Sequence, residues 1–153
     1  MRDSGRTAKD RAQVAALRHE MLRRLRASNS TRTFGLRVRD VRRGRVTLEM
    51  KAARRFLQAH GRMHGGVIAL LADTAAAMAA YSAAPPRSRL VTLEMKINFL
   101  AGVERGAMVG CGKLVWLGKS VGVSESEARD ADGRLVAKAL VTVAIAPAAE
   151  HSR

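Results

Sequence analysis

One short stretch carries residue types at a spacing that could do chemistry. His64-Gly65-Gly66 is followed, nine residues after the histidine, by Asp73, inside the run MHGGVIALLADTAAAMAAYSAA. A carboxylate two turns inside an Ala/Leu/Met helix is costly to bury unless it is paired or used. The glycines let the backbone approach a ligand closely. They also fall where a helix N-terminus presents unbonded N–H groups and partial positive charge. Donors for an oxyanion at one end and a carboxylate at the other are the parts needed to hydrolyse an acyl group. Each residue also has a plainer use. Asp73 can be a structural acid bonded to backbone, His64 a ring that holds the turn, and Gly65 and Gly66 room for tight helix–sheet packing.

The elements around this stretch follow from periodicity. Val67 to Ala84 is apolar, mostly alanine and carries Asp73, so it reads as a buried helix rather than a membrane span; Pro85-Pro86 stops it. Residues 1–9 read as disordered. From Asp10 to Ala27, Val14, Leu17, Met21 and Leu25 recur at spacings of 3, 4 and 4 with arginines between, the pattern of an amphipathic helix. Such a helix can lie on a membrane or bind a partner, but covering its own domain is the commoner use and the expectation here. Ser28-Asn29-Ser30-Thr31 ends it.

The period then changes to two. Phe34 to Val41 reads as a first strand and Arg42-Arg43-Gly44 as a turn. In Arg45 to Lys51, Val46, Leu48 and Met50 face a core. A loop with Gln58 and His60 leads to the HGG turn. After the long helix, Val91, Leu93, Met95, Ile97 and Phe99 alternate with Thr92, Glu94, Lys96 and Asn98. Residues 106–117 and 119–129 read as a strand pair turning at Gly118, and Asp130-Ala131-Asp132-Gly133 as a turn. The last strand runs from Leu135 to Ile145, with Leu135, Ala137, Ala139, Val141, Val143 and Ile145 on one face. No repeat or linker interrupts this order, which predicts one α+β domain. A one-faced antiparallel sheet curled around the long helix buries both, and edge pairing of two protomers would extend the sheet.

Composition sets the frame. A chain of 153 residues with 3% aromatics builds its core from aliphatic side chains and alanine. Residues 1–55 hold 17 Lys/Arg against 5 Asp/Glu, so +12 of the net +15 lies there. Such charge attracts polyanions such as nucleic acid, acidic lipid or a phosphorylated cofactor like coenzyme A; the plain alternative is a solvated basic surface. The near-absence of stacking aromatics and of a binding motif weighs against nucleic acid. Cys111 is the only cysteine, which excludes an internal disulfide and a cysteine zinc cluster; on a predicted strand it reads as core. His60 and His64 are four apart, yet no third ligand motif accompanies them, so no metal is expected. No secretory signal is visible, and a cytoplasmic location is expected.

The pattern HGGxxxxLxDT, here His64 to Thr74, resembles the hotdog-fold acyl-CoA thioesterases of the phenylacetate-degradation type. The strand VTLEMKINFL and the segment ARDADGRLVAKALVTVAI fit that family's layout, and the similarity covers about residues 34–146. Residues 1–33 form a basic N-terminal tail and helix outside it, and residues 147–153 a C-terminal tail. The resemblance implies a hotdog fold, an antiparallel sheet wrapped around one long central helix. It also implies a homodimer, often paired into a homotetramer, with active sites at the dimer interface and no cofactor.

By position, the resemblance makes Asp73 the catalytic carboxylate, a general base on water or a nucleophile forming a mixed anhydride. The Gly65 N–H would polarise the thioester carbonyl, with His64 and Gly66 beside it as substrate contacts. Gln58 falls where the family places an Asn or Gln near the carbonyl or the water. Thr92 falls at a Ser/Thr that positions water in one branch; another branch places a threonine one turn after the acid, where this chain has Ala77. Gly118-Lys119-Ser120 falls where the family holds the pantetheine and nucleotide of coenzyme A. The same three residues resemble the end of a phosphate loop, but Lys113 occupies the required glycine position and a strand follows, which excludes a nucleoside triphosphate site. Phe56, Leu57, Met78, Tyr81 and Phe99 are candidate acyl-pocket walls. The rival readings are a hotdog hydratase or dehydratase, whose signature is missing, and a non-catalytic acyl-CoA-binding or interaction module.

Overall fold

The computed structural model describes residues 7–147. Helix α1 spans Ala8–Ala27, and a five-residue α2 covers Asn29–Thr33. Strands β1 (Arg37–Arg42) and β2 (Arg45–Lys51) come next, then a single 3-10 turn at Arg54–Phe56. The central helix α3 runs Gly65–Ala83, followed by β3 (Arg89–Phe99), β4 (Ala107–Leu117), β5 (Val121–Arg129) and β6 (Leu135–Ala146). The six strands form one antiparallel sheet in the order β1-β2-β4-β5-β6-β3, with α3 against its inner face. This is the expected α+β hotdog arrangement with an added N-terminal helix.

Two N-terminal details differ from the expectation. The helix begins at Ala8, inside the stretch read as disordered, because Thr7 and Asp10 form a reciprocal capping box. The remainder of that stretch, residues 1–6, and the C-terminal residues 148–153 lie outside the described part. Phe34 to Leu36 do not open the first strand. Ser28 ends α1 and caps α2 through its hydroxyl, and α2 takes the chain to Thr33 before β1 begins at Arg37. Met21 and Leu25 are buried against β1, so the amphipathic helix covers its own domain.

Alanine in α3 and glycine in β4 set the helix–sheet distance. Ala72, Ala75, Ala76, Ala79 and Ala80 are fully buried. They lie so close to the sheet that a Cβ on Gly112 would sit 2.0 Å from the Ala75 carbonyl oxygen, and one on Gly110 2.8 Å from Leu71 Cγ. The obstacle at Gly112 is backbone, so it cannot rotate away. Gly112→Ala is therefore expected to lower stability by about 3 kcal/mol, the upper end of overpacking, as a drop in the denaturant midpoint. An unchanged midpoint would mean that the helix can lift from the sheet freely. On β2, Val46, Leu48 and Met50 are buried as their alternation requires. On β6 the inward row Ala137 to Ile145 also holds, and Val136 is buried as well, next to the register shift at Ala128/Arg129.

Candidate active site

Helix α3 positions the candidate groups and also separates them. At its N-terminus His64 has extended backbone, and its Nδ1 accepts from the Gly66 N–H at 3.0 Å, so the ring is the helix cap. An accepting nitrogen carries no hydrogen, which leaves the ring hydrogen on Nε2. The Gly66 N–H is thus occupied, and those of Val67 and Ile68 turn back to the His64 carbonyl. Among the described residues, nothing accepts from the Gly65 N–H. It is a donor at the positive end of a 19-residue helix. A Cβ on Gly65 would lie 3.3 Å from the Phe99 ring, a tight contact that the ring would have to yield to.

Gln58 arrives beside Gly65 because the preceding segment folds back on itself. The Gln58 N–H donates to the Arg62 carbonyl at 2.7 Å, and the Met63 N–H to the Val103 carbonyl at 2.6 Å. Gly65, Gln58, Ile68 and Phe99 line one cleft of about 340 Å³.

Asp73 lies elsewhere. It is eight residues further along α3, ~12 Å at 1.5 Å per residue. It is half-buried, and its Oδ1 accepts from the Thr92 hydroxyl at 2.8 Å. Thr92 reaches it through a β-bulge. Thr92 pairs with Val143 and Glu94 with Thr142, so Leu93 is an extra residue in β3. Before the bulge Leu90 and Thr92 turn inward, and after it Met95 and Ile97 do. The alternation that put Val91 and Leu93 on one face with Met95 and Ile97 is therefore broken. Val91 and Leu93 are 62% and 60% exposed. A strand without the extra residue would turn Thr92 and Met95 to opposite faces.

Asp73 opens into a second cleft of about 630 Å³ that follows α3 from Leu70 to Tyr81. Leu90 and Thr92 form one wall. The other comes from the N-terminal elements, with Arg23, Arg24, Ala27 and Ser28. Nothing in the sequence marks this second wall beyond Glu20, Arg23 and Arg24 standing three and four residues apart on one helix. Arg23 gives Glu20 two hydrogen bonds, at 2.8 and 2.7 Å, and Arg24 gives a third at 3.0 Å. The Arg23 guanidinium holds the Glu20 carboxyl down at about 2, against burial, which acts to raise it. Tyr81, the only tyrosine, donates its hydroxyl to Glu20 at 2.9 Å and lies 3.5 Å under the Arg24 guanidinium. Burial, then the bond to Glu20, raise the tyrosine hydroxyl above its ordinary range.

The other candidates are dispersed. Gly118, Lys119 and Ser120 form the turn between β4 and β5, closed by Gly118 N–H to the Val121 carbonyl at 2.8 Å, with Lys119 exposed. They line neither cleft. Met78 and Tyr81 line the Asp73 cleft and Phe99 the Gly65 cleft, whereas Phe56 packs on Phe34 with ring centroids 4.8 Å apart. His60 lies in the loop before α3, so it does not share a helix with His64. Cys111 is half-buried on β4, its sulfur 3.8 Å from the Thr47 hydroxyl.

Comparison with known proteins gives a concordant result. A family model described as the thioesterase superfamily matches residues 60–137. A 1,4-dihydroxy-2-naphthoyl-CoA hydrolase of Escherichia coli is 32% identical over 104 residues, 67% of this chain and 76% of its own. One of the same name from Listeria monocytogenes is 27% identical over 113 residues, 74% of this chain and 92% of its own. In fold, the chain is similar to the E. coli PaaI protein of the phenylacetic acid degradation operon. The TM-score is 0.76 at 22% identity, covering 86% of this chain and 97% of that one.

Proposed function

The chain belongs to the thioesterase superfamily, and from that membership we propose that it hydrolyses acyl-CoA thioesters to free acid and coenzyme A at a site shared by two copies of the chain. The observation that carries this reading is the separation along α3. Polarising a carbonyl and delivering a nucleophile to it both require contacts of about 3 Å. The Gly65 donor and Asp73 are ~12 Å apart on one helix, so one chain cannot bring both to the same carbonyl.

Strand β3 offers the means to complete the site. It is an edge of the sheet, free to pair with a second copy. Its Thr92 end lines the Asp73 cleft and its Phe99 end lines the Gly65 cleft. Antiparallel pairing of two β3 strands about a two-fold axis near their middle sets the Thr92 end of one opposite the Phe99 end of the other. Asp73 of one copy then faces Gly65 and Gln58 of the other, twice per dimer.

In this arrangement the Gly65 N–H donates to the thioester oxygen and stabilises the charge that develops there. One such donor lowers the barrier by roughly 3–4 kcal/mol. Thr92 holds Oδ1 of Asp73 and leaves Oδ2 for the reaction. As a base, Oδ2 takes a proton from water as the water oxygen attacks the carbonyl carbon; the tetrahedral intermediate collapses and expels the coenzyme A thiolate. As a nucleophile, Oδ2 attacks the carbonyl carbon and the coenzyme A thiolate is expelled, leaving a mixed anhydride that water then cleaves to the free acid and the Asp73 carboxylate. Gln58 is placed to contact the carbonyl or the water. His64 presents Nε2 beside the turn with Gly66 next to it, and Gly118-Lys119-Ser120 would receive the pantetheine and nucleotide.

The test is release of free thiol from a panel of acyl-CoAs. Turnover is expected, and acyl-CoA binding without thiol release would sink the reading in favour of a binding module.

A further inference from the structure

The second wall of the Asp73 cleft lies outside the family match at residues 60–137. It brings to the cleft a cluster in which two guanidinium groups share one carboxylate. Arg23 gives Nε and Nη2 to Glu20, while Arg24 gives Nε to Glu20 and Nη2 to the Ser88 carbonyl at 3.1 Å. Among the described residues, Nη1 of neither arginine has a hydrogen-bond partner, and the Arg23 side chain is 60% exposed. Glu20 is ionised at neutral pH, so the cluster of two cations and one anion keeps an excess positive charge.

The floor of the cleft leads from Asp73 to this cluster. Asp73, Ala77 and Tyr81 stand at i, i+4 and i+8, one face of α3. Ala77 has only a methyl group, so the lane between the acid and the tyrosine stays open. Tyr81 lies ~12 Å beyond Asp73 along the axis. Three extended backbone bonds span ~3.6 Å, so that lane has the length of about ten bonds. Allowing for the gap between Asp73 and the reacting carbon, a chain of roughly eight carbons reaches the guanidinium groups.

We infer that the lane along α3 receives the acyl group, and that Arg23 at its far end selects acyl groups bearing a terminal carboxylate. This rests on the reading of Asp73 as the group that acts at the thioester carbon. A carboxylate at that distance meets the unbonded Nη1 of Arg23 and neutralises the excess charge. The N-terminal helix is then a specificity element of the enzyme as well as a cover for β1.

The experiment compares octanedioyl-CoA with octanoyl-CoA on the full chain, reading kcat/KM by thiol release. The dicarboxylic substrate should be preferred by roughly 3- to 10-fold, as for one partly exposed charge-assisted contact. Arg23→Gln should abolish the preference and Arg23→Lys retain part of it. The same acyl pair as N-acetylcysteamine thioesters, which lack the nucleotide, should keep the preference.

Equal kcat/KM for the two acyl groups overturns the inference. So does an Arg23→Gln loss equal on both, which is what a merely structural arginine would give. A preference that vanishes with the nucleotide overturns it too, since the arginine would then serve coenzyme A. Absence of thiol release from every acyl-CoA is instead the failure of the hydrolase reading. The lane is then decided by calorimetric binding of the same two acyl-CoAs, where equal affinities overturn it and an Arg23-dependent preference supports it.

Discussion

Asp73→Asn is expected to lower kcat by about 10²–10⁴-fold, the range for loss of a positioned base, while leaving the fold intact. The side chain keeps its size. Its Oδ1 can still accept from the Thr92 hydroxyl, now bonded at 2.8 Å, so the contact between α3 and β3 survives. What is lost is the charge, and with it both the basicity and the nucleophilicity of Oδ2. Thermal melting and thiol release on the same preparation separate the two effects. A folded variant with near-normal kcat would remove Asp73 from the reaction and make it a structural acid tied to β3.

The second large effect is a restoration. Asp73→Asn and Gln58→Ala are each expected to be nearly inactive. They lie in different clefts of one chain, on the two sides proposed to meet across a dyad. Co-refolding equal amounts yields about half heterodimers if pairing is random. Each heterodimer then has one site with both substitutions and one with neither. Activity should therefore return to about a quarter of the wild-type value by this two-fold counting. Native mass spectrometry verifies that heterodimers form. If they do and activity stays at the parental level, the site is not divided between chains in this way.

Much of the fold is written in short-range pattern. The two-residue alternation of Val46, Leu48 and Met50 and the 3.6-residue recurrence of Met21 and Leu25 each name an inner face, and each is buried there. The HGG turn, the long alanine-rich helix and Pro85-Pro86 mark where α3 begins and ends, since these residues act on their own backbone. Where sequence and structure part, a single residue acts through a local bond or a register. Thr7, in its capping box with Asp10, starts the helix two residues ahead of its expected start, and Ser28 serves two helices at once.

The amino-acid sequence by itself determined the candidate chemistry: an acid eight residues after a glycine at a helix N-terminus, on one helix. Tertiary packing, not the sequence, showed that this helix lies tight on Gly110 and Gly112 of β4. Tertiary structure decided how those groups are deployed. The bulge at Leu93 turns Thr92 toward Asp73, and a bulge depends on how two strands pair, which neither strand encodes alone. Docking of α1 places Arg23 and Arg24 along the Asp73 cleft more than 40 residues away in the chain, and contacts at such separation leave no periodic trace. The distance along α3 between Gly65 and Asp73 was countable in the sequence from the start. That the two open into different clefts, at opposite ends of an edge strand, is a property of the sheet that curls around them.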